Sequence, residues 1–150
     1  MRAGGVVALL GAALVLAGCG GEDGGGQLSA EELRSQADAI CARYDDEFNA
    51  LGEPTSADEL DAFLDDAIPL VEEQTNELEE LDPPDELADD WNRAMAVQRE
   101  GLANVRALQD AVQNGDATQI QELLAKAESI RAESDQLARD LGLETCGEET

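Results

Sequence analysis

Apolar side chains recur at three- and four-residue steps along most of this 150-residue chain, and this spacing restricts its fold most. Such a period places the apolar residues on one face of an α-helix. The first stripe consists of Leu33, Ala37, Ile40, Tyr44, Phe48 and Leu51. Further stripes follow over residues 60–81, 87–112 and 120–141. No segment shows the two-residue alternation of a half-buried strand, so the sequence predicts an all-α fold.

Residues that start or stop helices separate the stripes. Ser29 and Ser56 each stand three residues before a glutamate, as in a capping box, and Asp116 precedes Gln119 in the same way. The breaks are Gly52 with Pro54, the Asp-Pro-Pro-Asp segment 82–85, Asn114-Gly115, and Gly142. Short connections between four helices predict an up-down-up-down four-helix bundle over residues 29–146, followed by an acidic tail at 147–150.

Three details of these helices follow from the sequence. Helix two keeps its apolar phase across Pro69, so a single kinked helix is expected there. Pro84 suits the first turn of helix three, where its missing N–H costs nothing. The residues of helix four that are expected to face the core are Ile120, Leu123, Leu124, Ala127, Ile130, Leu137, Ala138 and Leu141.

The N-terminus is of a different kind. Arg2 supplies positive charge, residues 6–17 are apolar, and Leu16-Ala17-Gly18-Cys19 closes the segment. This order resembles the lipobox signal peptide of bacterial lipoproteins. The resemblance implies removal of residues 1–18, a covalent diacylglycerol on Cys19, and lipid anchoring at the extracytoplasmic face of the cell membrane. A plain secretory signal and an uncleaved span are the alternatives, although the apolar run barely reaches the roughly 18–20 residues of a span.

Residues 19–28 are rich in glycine and are predicted to form a flexible tether after the lipidated Cys19. A flexible segment of about nine residues reaches on the order of 15 Å. The tether would therefore hold the helical domain close to the membrane surface while leaving it free to rotate.

Charge and composition exclude several classes of function. Without residues 1–18 the chain carries 8 basic and 35 acidic side chains, a net charge of −27, which excludes nucleic acid as a partner because like charges repel. The chain has no histidine, which excludes Ser-His-Asp and Cys-His nucleophile systems and His-ligated zinc. We expect no enzymatic activity, because no nucleophile and base can be paired with any specificity.

Two cysteines remain once Cys19 is assigned to lipid. An even pair outside the cytoplasm, without metal-ligand spacing, predicts a Cys41–Cys146 disulfide, and two free thiols are the alternative. Cys41 lies about 16 Å along helix one, so the bridge requires the C-terminal segment to turn back along a groove or the first turns of helix one to project beyond the bundle.

The acidic residues are densest around the double proline. Asp82, Asp85, Glu86 and Asp89 are weak candidates for a Ca²⁺ site, since carboxylate oxygens suit hard cations, but they lack the spacing of an EF-hand loop. A solvated acidic face explains them better, and no cofactor other than the lipid is expected. Trp91 and Met95 are interpreted as core residues, with a small-molecule pocket in the bundle as the alternative.

The mature segment also resembles small helical extracytoplasmic proteins of high-GC bacteria. The matching features are Ile40-Cys41, the Leu-Asp-Pro-Pro run ending at Pro84, and Gly-Leu-x-x-Cys at the C-terminus. This resemblance implies the architecture and no activity. Two functions stay open: an interaction or adaptor module for an envelope protein, which the sequence favours, and a ligand- or cation-binding lipoprotein accessory to transport or envelope stress sensing. An apolar groove open to solvent would favour the second.

Overall fold

A computed structural model describes residues 26–146, and within that range the chain forms four α-helices and no strand. They span Ala30–Leu51 (α1), Ala57–Glu79 (α2), Ala88–Asn114 (α3) and Ala117–Leu141 (α4). The predicted all-α four-helix bundle is confirmed. None of these helices is both long and apolar enough to cross a membrane. The predicted signal peptide, the Cys19 lipid site and the acidic tail at 147–150 lie outside the described residues.

The helix starts follow the predicted capping chemistry, with one variation. Ser29 Oγ accepts the N–H of Glu32 at 3.3 Å, and the Glu32 carboxylate accepts the N–H of Ser29 at 2.9 Å, so the first capping box is complete. Ser56 caps α2, but the Glu59 carboxylate accepts its hydrogen bonds from Thr55. The hydroxyls of Ser29 and Thr55 lower the pKa of Glu32 and Glu59, because they donate to the charged carboxylates.

The helices pack in sequence order, α1 on α2, α2 on α3, and α3 on α4, and the α3–α4 interface is the most extensive. No comparable interface joins α1 to α4 within residues 26–146. At the end of the bundle where α1 begins and α4 ends, which we call the tether end, one buried cluster combines all four helices. It consists of Leu33, Ala37, Leu78, Trp91, Met95 and Leu141.

Two boundaries at the tether end differ from the sequence expectation. Pro84 is buried in the connector instead of the first turn of α3, because residues 85–87 form a separate turn closed by the Leu87 N–H on the Pro84 carbonyl at 2.9 Å. The expected tether also ends earlier than residue 28. The Leu28 N–H donates to the Asp82 carbonyl at 2.8 Å and Gln27 Nε2 donates to Asp85 at 2.7 Å, so both residues belong to the folded domain.

The expected inward face of α4 is buried only over its last turns. Leu137, Ala138 and Leu141 are buried, whereas Leu124 is 46% exposed. Four more residues of that face are only half-buried: Ile120, Leu123, Ala127 and Ile130. The prediction that all eight face the core is therefore wrong for Leu124, and the four half-buried residues are covered only in part. The physical reason is that α4 packs mainly on α3 and forms no comparable interface with α1.

Candidate functional site

The C-terminal segment after α4 is held on α1 by two charged side chains. Arg34 Nε donates to the Leu141 carbonyl at 2.7 Å. One turn further along α1, the Asp38 carboxylate accepts three consecutive backbone N–H groups, those of residues 144, 145 and 146, at 3.1, 2.8 and 3.3 Å. Three aligned N–H groups form a cradle that suits an anion. We call residues 141–146 the C-terminal latch.

The latch ends in the disulfide that the sequence predicts. Cys41 and Cys146 are bonded, with their Cα atoms 5.3 Å apart, and the prediction is confirmed. The sequence left two ways for the bridge to form, and the structure shows the first: the C-terminal segment turns back along a groove beside α1. Gly142 makes this reversal with a φ of +76°, and a Cβ atom there would lie 2.9 Å from Arg34 Nε. Glycine is needed at this position both for its backbone conformation and for the space.

The acidic residues around the double proline do not converge. Within residues 26–146 no three carboxylate, cysteine or histidine side chains are placed to hold a metal ion. Asp85 is hydrogen-bonded to Gln27, and Asp82, Glu86 and Asp89 are exposed. The Ca²⁺ site at these four residues remains a sequence prediction without a geometric basis.

A pocket of about 200 Å³ lies inside the bundle near the tether end. Its apolar wall includes Leu78, Trp91, Met95 and Leu141, which also belong to the buried cluster. Trp91 is only 2% exposed, so the interpretation of Trp91 and Met95 as core residues is confirmed, and the same two side chains line the pocket. The latch supplies another edge through residues 143, 145 and 146.

Polar side chains form the rest of the lining and much of the surface that faces into the pocket. Gln98 Nε2 donates to Gln74 Oε1 at 3.3 Å, which links α3 to α2 beside the pocket. Asp45, Ser134 and Thr145 complete the polar lining. No arginine or lysine lines the pocket, so its only charged side chain is acidic. A lining of apolar and polar side chains together can hold a small molecule that has both an apolar and a polar part.

Five basic residues lie outside the pocket, in ion pairs that join neighbouring helices. The pairs are Arg43–Glu77, Arg99–Glu79, Arg106–Glu72, Arg93–Glu133 and Lys126–Glu100. The first pair is extended by Tyr44, a buried residue whose hydroxyl donates to Glu77 at 2.9 Å. Burial raises the pKa of Tyr44, and the hydrogen bonds from Tyr44 and Arg43 lower the pKa of Glu77. This cluster fixes α1 against α2 where α1 approaches the pocket.

Comparison of the chain with known protein families, with curated proteins and with solved structures finds no match. The assignment of a site therefore depends on geometry. Sequence reasoning named Trp91 and Met95 but missed Gln74 and Gln98. Each glutamine stands beside the apolar stripe of its helix, and this position could have indicated a residue near the core. A single sequence does not show, however, that the two side chains pair across two helices.

Proposed function

We propose that this protein is a membrane-anchored extracytoplasmic lipoprotein that binds a small, largely apolar molecule, uncharged or cationic, in the pocket beside Trp91. The observation that carries the proposal is the pocket itself, which has an apolar wall at Trp91, polar side chains in the rest of its lining to bind a polar group, and no basic side chain. The sequence alone favours an adaptor, and the pocket favours the ligand-binding alternative. No catalytic group is assigned to it.

Size and charge define the class of ligand. An apolar cavity of about 150 Å³ is known to accept benzene, so a pocket of about 200 Å³ accommodates one ring or a short branched chain. An anion would enter a protein of net charge −26, and no arginine or lysine lines the pocket to pair with it. Because an unpaired buried charge is costly, anionic ligands are disfavoured.

The lipid on Cys19 gives the proposed binding activity its location. Two or three acyl chains suffice for stable membrane anchoring, whereas one chain binds only marginally. Since Gln27 belongs to the folded domain, about seven residues separate Cys19 from it, and even at full extension they would keep the pocket within a few tens of ångströms of the bilayer surface. A ligand-binding domain held there would collect molecules that leave or approach the membrane.

The adaptor role has weaker support. A surface that binds a partner protein usually presents several apolar or aromatic side chains together. Leu124 is the one large hydrophobic side chain that is exposed among residues 26–146. A single exposed leucine is ordinary for a soluble surface and defines no partner.

Fluorescence of Trp91, the only tryptophan in the chain, tests binding directly. We expect saturable changes on titration with benzyl alcohol or benzylamine and none with benzoate. Ala94→Leu fills the pocket and should lower the affinity by at least about ten-fold. Ala103→Leu, on the exposed face of the same helix, is the matched control and should bind like the natural protein. Equal binding by the two variants, or no saturable binding by any probe, would exclude this pocket.

The anchor is tested separately. Cells that express the protein are labelled with palmitate, and the purified protein is examined by mass spectrometry. The mature chain should begin at Cys19 with fatty acid attached, and Cys19→Ala should carry no label. A natural chain that begins at Met1 without lipid would contradict the anchor and leave the pocket to be judged on its own.

A further inference from the structure

A second groove runs between α3 and the half-buried part of α4. It holds about 220 Å³ and is mostly apolar, with Gly101, Val105, Ala127 and Ile130 in its walls. Gln98 and Ser134 line both this groove and the pocket at Trp91, so the two spaces are neighbours on either side of these side chains. A ligand that passes between Gln98 and Ser134 would occupy both.

Asn104 is the unusual residue of this groove. The residue is 3% exposed, and its Nδ2 donates to the Leu123 carbonyl at 3.0 Å. Its Oδ1 is buried and accepts no hydrogen bond from any of residues 26–146. A buried carbonyl oxygen without a donor is costly, so such groups are rare in folded proteins and call for an explanation. The groove has room for a bound molecule, and such a molecule could donate the missing hydrogen bond.

We infer that the ligand is elongated and uncharged, with an apolar part in the Trp91 pocket and a hydroxyl or amide N–H that donates to Asn104 Oδ1. This inference rests on the proposed function. Met95 and Asn104 are nine residues apart on α3, which corresponds to about 14 Å along the helix axis, so a single ring does not reach both sites. Because Oδ1 is closed to solvent in this structure, the side chains around it move when the donor enters.

The charges at the groove favour a neutral donor. Arg131 and Asp135 both line the groove, and their opposite charges leave its rim without net charge. Neither an ammonium nor a carboxylate would find an unopposed counter-charge there, and desolvating either would cost more than desolvating a hydroxyl. At the Asn104 end, an alcohol or amide therefore fits better than a charged head group.

Decanol and decyl methyl ether test the inference, because they have the same alkyl chain and differ in the hydroxyl donor. Trp91 fluorescence reports the binding of both to the full-length protein. We expect decanol to bind about ten-fold more tightly than the ether. Asn104→Leu should remove that preference by weakening decanol alone. Benzyl alcohol, too short to reach Asn104, should bind the variant as it binds the natural protein.

The outcomes separate the two proposals. If benzyl alcohol does not bind, the proposed pocket fails. If benzyl alcohol binds but decanol and the ether bind the natural protein equally, the Asn104 inference fails, as it would if an ordered water already satisfied Oδ1. The comparison of the two probes on the natural protein stands even where Asn104→Leu does not fold.

Discussion

Gly142→Ala should lower the free energy of unfolding through two separate effects, one on the backbone and one on a hydrogen bond. A φ of +76° is left-handed, which costs a residue with a Cβ about 1–2 kcal/mol. The new Cβ would also lie 2.9 Å from Arg34 Nε, so the guanidinium must withdraw from the Leu141 carbonyl. Losing a hydrogen bond from a charged donor adds about 1.5–3 kcal/mol. We expect a total loss of about 2.5–5 kcal/mol in the free energy of unfolding.

Gly115→Ala is the matched control. Gly115 ends α3 at a φ of +66°, in the same left-handed region, and a Cβ there meets nothing within 4 Å. This variant should lose only the backbone cost of about 1–2 kcal/mol. Urea denaturation of the oxidised protein, monitored by circular dichroism and extrapolated linearly to water, resolves the difference.

Arg34→Ala supplies the second arm of a double-mutant cycle. With the guanidinium removed, Gly142→Ala should cost no more than Gly115→Ala, because the side chain that the new Cβ displaces is absent. Equal losses for the two glycine variants in the natural background, within about 0.5 kcal/mol, would refute the assignment of the latch to Arg34.

Three further predictions concern the latch and the first helix cap. Replacing Cys41 and Cys146 together by alanine should lower the free energy of unfolding by about 4–5 kcal/mol in urea, since the bond closes a loop of 105 residues. Asp38→Asn should cost about 1–2 kcal/mol in the same assay, because a neutral amide accepts the three backbone N–H groups less strongly. Glu32→Gln should lower the melting temperature at pH 7, and the difference from the natural protein should shrink below about pH 4.5.

The sign of the last prediction follows from the pKa of Glu32, which folding lowers from 4.5 through hydrogen bonds from Ser29. A lowered pKa stabilises the protein above the unfolded value, and the contribution is lost as pH falls through the folded value. Relief of repulsion on acidification affects both proteins alike and cancels in the comparison. A difference that is constant from pH 7 to pH 3 would contradict this account.

The other two predictions have internal controls. A reducing agent should destabilise the natural protein and leave the double alanine variant unchanged. Asp46→Asn, on the exposed face of α1, should alter the free energy of unfolding by less than about 0.5 kcal/mol. If it costs as much as Asp38→Asn, then loss of charge, rather than loss of the latch, explains the effect.

Local sequence signals predict the helices and not the contacts that complete the bundle. Caps at Ser29, Ser56 and Asp116 locate three helix starts because their hydrogen bonds reach only three residues along the chain. The latch joins residues more than 100 positions apart, at Arg34 and Asp38, and no local pattern marks such pairs. The disulfide is the one long-range contact that the sequence predicts, because only two cysteines remain to pair once Cys19 is assigned to lipid.

In the candidate site, too, the sequence predicts local features but not long-range contacts. Apolar periodicity identifies the stripe of α4, but it does not tell whether another helix covers that stripe, and Leu124 proves exposed. Trp91 stands out in the sequence as a rare residue, whereas the vacant acceptor at Asn104 depends on which atoms surround it after folding. The pocket arises from the arrangement of whole helices, which a single sequence does not specify.

The covalent ring closed by Cys41 and Cys146 has a consequence for proteolysis. Both loops at the far end of the bundle, residues 52–56 and 115–116, lie inside this ring. A protease that cuts once in either loop produces two peptides that remain one molecule until the sulfur bridge is reduced. A single cut in one of these loops would therefore leave all four helices in one covalently linked molecule. Comparison of a non-reducing gel with a reducing gel would reveal the cut.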